Sequence, residues 1–204
     1  MPTVQEREGV YERSFQVVSS YLWDKHEGHG WIKEVEVLNR FIDPEGRLHS
    51  RRLLTLHSRF PMILRPILGN GPRPFYLLED VVVDIDNREM EVRTRNVNLN
   101  TICESCSTSS YVPHKTNNNW TQYHLTVETR AFPPKSSGAE DPEAPPPKNR
   151  WGALNRQIET FVGGLVLGNV QAGEKKINDW VRRLQERCDL CRTGRVWLCQ
   201  QLNH

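Results

Sequence analysis

The segment from Arg47 to Arg73 holds residues whose chemistry is simple to name. It carries Arg47, Arg51, Arg52, Arg59, Arg65 and Arg73 with His49 and His57, and it contains no Asp or Glu. Guanidinium forks bind phosphate through paired N–H donors, so the segment offers a local anion site. Within it runs Phe60-Pro61-Met62-Ile63-Leu64-Arg65-Pro66-Ile67-Leu68-Gly69. This apolar, proline-bracketed stretch suits a loop that touches a lipid surface, its aliphatic groups entering the acyl region while arginine meets phosphate. The same composition also suits a basic strand followed by a loop packed on its own core. A nucleic-acid backbone would attract the arginines too. However, aromatic stacking platforms are not interleaved with them. Ile63, Leu64, Ile67 and Leu68 point instead to lipid or a protein groove, and no nucleic acid is expected as a partner.

Other reactive constellations are sparse. The sequence has no Gly-x-Ser-x-Gly elbow, no P-loop, no Gly-x-Gly-x-x-Gly and no His-Glu-x-x-His. It is therefore expected not to be an enzyme, and no cofactor is expected. A hydrolase built from His and Asp gathered by folding has no nucleophile motif behind it. His26-Glu27-Gly28-His29 looks metal-like, but it sits among glycines without a third nearby ligand and reads as a solvated loop. The five cysteines include two Cys-x-x-Cys pairs, Cys103/Cys106 and Cys188/Cys191. Their separation exceeds zinc-ribbon spacing. In a strand, Cys103 and Cys106 also point to opposite faces. Small buried hydrophobes are the reading preferred to a metal site.

The elements that must position these residues follow from hydrophobic period. The chain has 204 residues, 37% of them hydrophobic and 25% charged, with formal net charge +2. That balance excludes a global polyanion binder and leaves room for a real core. The longest apolar run, Phe161 to Gly168, is shorter than the ~18–20 residues a spanning helix needs. The N-terminus reads as neither a secretory signal nor a basic transit peptide. Phe15, Val18 and Leu22 recur at helical spacing behind Ser14 as N-cap. The segment before them, Thr3 to Tyr11, suits an edge strand. Trp31 to Ile42 follows, with Val35, Val37 and Phe41 expected on one face. Asp43-Pro44-Glu45-Gly46 is a turn, and Arg47 to His57 is the returning strand. Further strands are expected at Pro74–Asp84, Met90–Asn98, Thr101–Val112 and Trp120–Phe132, with Pro113–Asn119 as a loop. Six or seven strands on short connections imply an antiparallel meander. Residues 133–148 are proline-rich and read as a flexible loop. Leu154, Ile158, Phe161, Val162 and Leu165, then Ile177, Trp180, Val181, Leu184, Cys188 and Cys191, mark a long C-terminal helix. That helix is the available cover for one sheet face. An apolar cavity between helix and sheet is one outcome of this order, and a solid core is the other.

In these residues the sequence resembles the PRELI/slowmo family of mitochondrial intermembrane-space phospholipid-transfer proteins. The resemblance runs roughly from Tyr11 to Leu184. It rests on the Phe15-x-x-Val18 helix ending in Trp23-Asp24-Lys25, on Asp43-Pro44-Glu45-Gly46-Arg47-Leu48 with Arg51-Arg52-Leu53-Leu54, and on Arg59-Phe60-Pro61. Tyr76-Leu77-Leu78-Glu79-Asp80 with Val83-Asp84, Met90, and Thr94-Arg95-Asn96 complete it. The resemblance implies an α+β fold over residues 1–204. In it, a curved antiparallel sheet of six to seven strands is closed by a long C-terminal helix, with a short N-terminal helix and a lid loop over a lipid cavity. Residues 185–204 would extend the last helix. It implies transfer of a phospholipid, typically phosphatidic acid or phosphatidylserine, between outer and inner mitochondrial membranes. It also implies a small helical twin Cys-x9-Cys partner and transient contact with a membrane surface. Carried over residue by residue, Lys25, Arg52, Arg59 and Asn169 are the head-group positions. Phe60, Pro61, Met62, Ile63, Leu64, Pro66, Ile67 and Leu68 form the lid. Other basic positions of the family's pocket fall here on Leu56, Leu165 and Ala172. A cargo-free interaction module of the same fold is the alternative.

Overall fold

The computed structural model describes residues 2–26, 32–56, 74–132 and 150–192. The elements follow in the order β1 (Thr3–Tyr11), α1 (Phe15–Asp24), β2 (Ile32–Ile42), β3 (Leu48–Leu56), β4 (Phe75–Asp84), β5 (Glu89–Asn96), β6 (Cys103–His114), β7 (Asn117–Ala131) and α2 (Arg150–Arg192). Two compact units divide the chain, Met1–Leu167 and Gly168–His204. The first holds the sheet, α1 and the opening part of α2. The second holds the remainder of α2. The proline-rich 133–148 loop and the chain after Arg192 lie outside the described residues.

All seven strands join one curved antiparallel sheet in the order β1-β7-β6-β5-β4-β3-β2. Consecutive strands from β2 to β7 pair across short connections, as an antiparallel meander should. β1 breaks the sequence by pairing with β7 from Thr3↔Thr129 to Tyr11↔Thr121. It is thus the expected edge strand, and α1 begins the passage from that edge to β2 at the other.

The β2–β3 turn forms where Asp, Pro and Gly signalled it. Gly46 takes φ +82, which a side chain would resist. Its N–H donates to the Asp43 carbonyl at 3.0 Å, and the Arg47 N–H donates to Asp43 Oδ1 at 2.8 Å. Desolvation pushes the Asp43 carboxyl up, but hydrogen bonds from His49 and Arg47 outweigh it and hold the pKa at about 2.

Two strand expectations need correction. Val35 and Val37 pair with Leu54 and Arg52, whereas Phe41 pairs with His49. A bulge between Val37 and Asn39 shifts the register, so Phe41 lies on the opposite face, with its ring stacked on His49 at 4.8 Å. The 113–119 loop is also much shorter than expected. β6 runs through Pro113 to His114 and β7 starts at Asn117, leaving Lys115 and Thr116 as the turn. Pro113 sits beside a register irregularity, where its missing N–H is tolerated.

One sheet face, here the inner face, carries the core of the first unit. Val81, Met90, Val92, Tyr111, Tyr123, Leu125 and Val127 are buried there. α1 packs on β6 and β7, with Phe15, Val18, Tyr21 and Leu22 buried. Side chains of this kind contribute roughly 1.5–3 kcal/mol each when removed from water. Ser14 takes the extended N-cap conformation, and its carbonyl accepts the Val18 N–H at 3.0 Å, but its hydroxyl makes no capping bond. Tyr11, Tyr111 and Tyr123 pack as a tilted aromatic cluster, with centroids 5.4–6.4 Å apart. The Tyr123 ring lies over β1 because residue 9 is glycine: a Cβ there would sit 2.5 Å from the Tyr123 hydroxyl.

The opening part of α2 lies against the same face. Ile158 packs with Cys103 and Ala131 beside Leu99, Ile102 and Val162. Beyond the last β1–β7 pair, the Ala131 N–H finds its acceptor in Glu159 at 3.0 Å, and Glu159 also accepts the Thr3 hydroxyl. A buried N–H left unpaired would cost about 1–3 kcal/mol. Gly163 brings the helix against the Gln5 side chain, which a Cβ would strike.

A candidate anionic-ligand site

The site forms where the end of α1 meets β3 and β4. Alternation on β3 turns Ser50, Arg52 and Leu54 inward, and the register sets Arg52 directly opposite Glu79 of β4. The Glu79 carboxylate is 1% exposed and collects three cationic or titratable partners. Lys25 Nζ lies 2.8 Å from Oε2, Arg52 Nη2 donates to Oε1 at 2.6 Å, and His26 Nε2 is 3.0 Å from Oε1. Arg52 Nη1 donates to the Trp23 carbonyl at 2.8 Å, so Arg52 also anchors the last turn of α1. The Arg52 and Arg40 guanidiniums stand 5.4 and 4.8 Å from the centre of the Trp23 ring, within cation–π range.

Burial pushes the Glu79 carboxyl up, but Lys25, His26 and Arg52 more than reverse this and hold its pKa well below the usual carboxylate range. Burial pushes the His26 pKa down, and the hydrogen bond to Glu79 restores only part of the shift. Near neutral pH the cluster is therefore two cations, one carboxylate and a neutral imidazole. It retains one net positive charge. Lys25, 23% exposed, presents it to solvent, while Arg52 is 4% exposed. Arg52 Nε has no hydrogen-bond partner among the described residues.

The structure thus brings Lys25 and Arg52 together, and on a carboxylate that the sequence reading did not single out. A signal for it existed. Glu79 shares the inward parity of Val81 and Val83, where an acid needs a buried cation. His26, read as part of a solvated loop, is instead 12% exposed and bonded to Glu79. Its loop neighbours Glu27 to Gly30 lie outside the described residues. The acid-free run of arginines also has acidic neighbours in the fold. Arg47 pairs with Asp43 and Glu45, and Arg51 with Asp80 across to β4. Arg59 and the lid residues Phe60, Pro61, Met62, Ile63, Leu64, Pro66, Ile67 and Leu68 lie outside the described residues. Asn169 falls on α2 in the second unit. Cys103 is buried, Cys106 is half-buried, and both are free thiols.

The sheet-and-helix architecture has relatives of known structure. An aromatase/cyclase from Streptomyces superposes with a TM-score of 0.55 at 12% identity, covering 89% of this chain and 96% of that one. A START superfamily protein from Mycobacterium smegmatis gives 0.50 at 13% identity, covering 87% and 98%. At such identities the likeness is one of fold. In sequence, the chain is similar to a protein slowmo homolog of Dictyostelium discoideum, 26% identical over 161 residues, which are 78% of this chain and 61% of that protein. It is similar also to PRELI domain-containing protein 1, mitochondrial, of Homo sapiens, 30% identical over 122 residues, 56% of this chain and 54% of that protein. The chain thus spans between about half and three-fifths of the length of the curated relatives it matches. The profile of the PRELI-like family matches residues 24–137, more than half of the chain and the stretch that contains Lys25, Arg52 and Glu79, and the chain belongs to that family.

Proposed function

We propose that this chain binds a phospholipid and carries it between membranes, with phosphatidic acid as the cargo. The observation that carries the reading is the Lys25–Arg52–Glu79 cluster on the inner face of a START-like sheet. The head-group phosphate approaches the exposed side of Lys25. It then shares or displaces the Glu79 carboxylate, because two dense negative charges cannot both sit unpaired in a poorly solvated site. The acyl chains lie along the inner face, reached past half-buried Leu56, Phe75 and Leu77 at the ends of β3 and β4. Each CH₂ taken from water contributes about 0.8 kcal/mol, so cargo does not escape freely into solvent.

In this reading the opening part of α2 covers the sheet at Cys103 and Ala131, and Phe60 to Leu68 act as a lid that docks on a membrane. Arg59 is the further head-group cation in this reading. No bond is made or broken, so the protein is a carrier without a cofactor. Two relatives named mitochondrial support action in mitochondria, with the intermembrane space and a small helical twin Cys-x9-Cys partner as the fuller proposal. One observation favours a second reading, a cargo-free interaction module: Glu79 already occupies both cations. Native mass spectrometry of the purified protein separates the two. The carrier reading expects one anionic phospholipid per chain, and a lipid-free mass alone supports the module.

A further inference from the structure

The inner face is not uniformly apolar. Register sets Thr94 of β5 opposite Ser107 of β6, and Ser105 of β6 opposite Thr129 of β7. These four hydroxyls form one contiguous patch over three neighbouring strands. Thr94 also stands directly beside Glu79. Thr94, Ser105 and Ser107 are half-buried. Thr129 is 2% exposed, and its hydroxyl has no hydrogen-bond partner among the described residues. Two further inward groups share that state, the Ser50 hydroxyl and Arg52 Nε.

Acyl chains are poor company for such groups. A hydroxyl buried against hydrocarbon without a partner loses its hydrogen bonds to water and gains none. The patch calls for acceptors, set close to the place where a phosphate would sit. Ser107 lies two strands from Glu79, about 9–10 Å at the usual strand spacing. A glycerophospholipid carries such acceptors there: its two ester carbonyls follow the phosphate after a short glycerol linker. We propose that Thr94 and Ser107, with Ser105 next along β6, hold the ester carbonyls of the bound lipid, and so make the protein selective for diacyl over dialkyl-ether phospholipids. This rests on the carrier reading and adds a determinant of cargo choice, distinct from the cations that hold phosphate.

The test is transfer between vesicles. Donor phosphatidylcholine vesicles contain equal amounts of diacyl and dialkyl-ether phosphatidic acid of matched chain length, and acceptors contain phosphatidylcholine alone. Mass spectrometry reads both species in the acceptors. At about 0.5–1.5 kcal/mol net per hydrogen bond, two retained bonds give a diacyl preference of roughly 5- to 150-fold. Thr94→Val with Ser107→Ala should shrink that preference several-fold while ether-lipid transfer continues. Equal transfer of both lipids by the native protein overturns the ester assignment and leaves the carrier reading standing. Transfer of neither above the spontaneous rate overturns both.

Discussion

Glu79→Gln removes one charge from the cluster, and the structure fixes how that loss divides. Lys25 is partly exposed and can turn its ammonium to water. Arg52 cannot: it is 4% exposed and held by Trp23. The variant therefore leaves a buried guanidinium with a neutral amide where a carboxylate stood. Breaking a buried pair in this way costs about 3–5 kcal/mol. For a domain of this size, each kcal/mol lowers the melting temperature by roughly 2–4 °C, so a drop of about 6–20 °C is expected in circular-dichroism melts at pH 7.5. Lys25→Met should cost about 1 kcal/mol or less, because its partner keeps Arg52 and its own head is partly exposed to water. The double variant Arg52→Met with Glu79→Leu should recover much of the loss, since a well-packed apolar pair avoids desolvating charge. A Glu79→Gln melt within 2 °C of the parent, or a double variant no better than Glu79→Gln, would refute this account of the cluster.

Three further outcomes are expected from the same structure. The pKa values of His26 and Glu79 are both depressed by folding, so the unfolded chain binds more protons and stability rises with pH. Acidification should lower the urea midpoint first below about pH 6.5, through His26, and again below about pH 4.5, through Glu79; His26→Gln should flatten the upper step alone. Gly9→Ala places a methyl against the buried Tyr123 ring and should cost about 1–3 kcal/mol by overpacking, with partial recovery in Tyr123→Leu, both read by denaturant titration. Burial pushes the Cys103 thiol up to about 11, so iodoacetamide at pH 8 should leave Cys103 unlabelled in the native protein and label it in urea, as peptide mapping would report.

Much of the fold was legible because local signals agreed. The Asp43–Gly46 turn, the Phe15–Val18–Leu22 stripe and the alternation in β5 each state their element in a few residues. Expectation failed where tertiary pairing decides. Nothing local in Val37-Leu38-Asn39 announces a bulge, yet the bulge alone moves Phe41 to the other face. Pro113 reads as a loop signal, but beside an irregular pair it sits within a strand. In the site, Lys25 and Arg52 were visible as cations, and their partner was not. Glu79 becomes conspicuous only once register sets it opposite Arg52 and alternation turns it inward with Val81. The hydroxyl patch has the same character. Thr94, Ser105, Ser107 and Thr129 come from three strands, and only the ladder makes them neighbours.

Protein-dependent movement of fluorescent phosphatidic acid from donor to acceptor vesicles tests the carrier claim most directly. Transfer well above the spontaneous rate is the predicted result, faster than for fluorescent phosphatidylcholine and diminished by Lys25→Glu. A rate equal to the protein-free control, both alone and with a twin Cys-x9-Cys partner added, would contradict it.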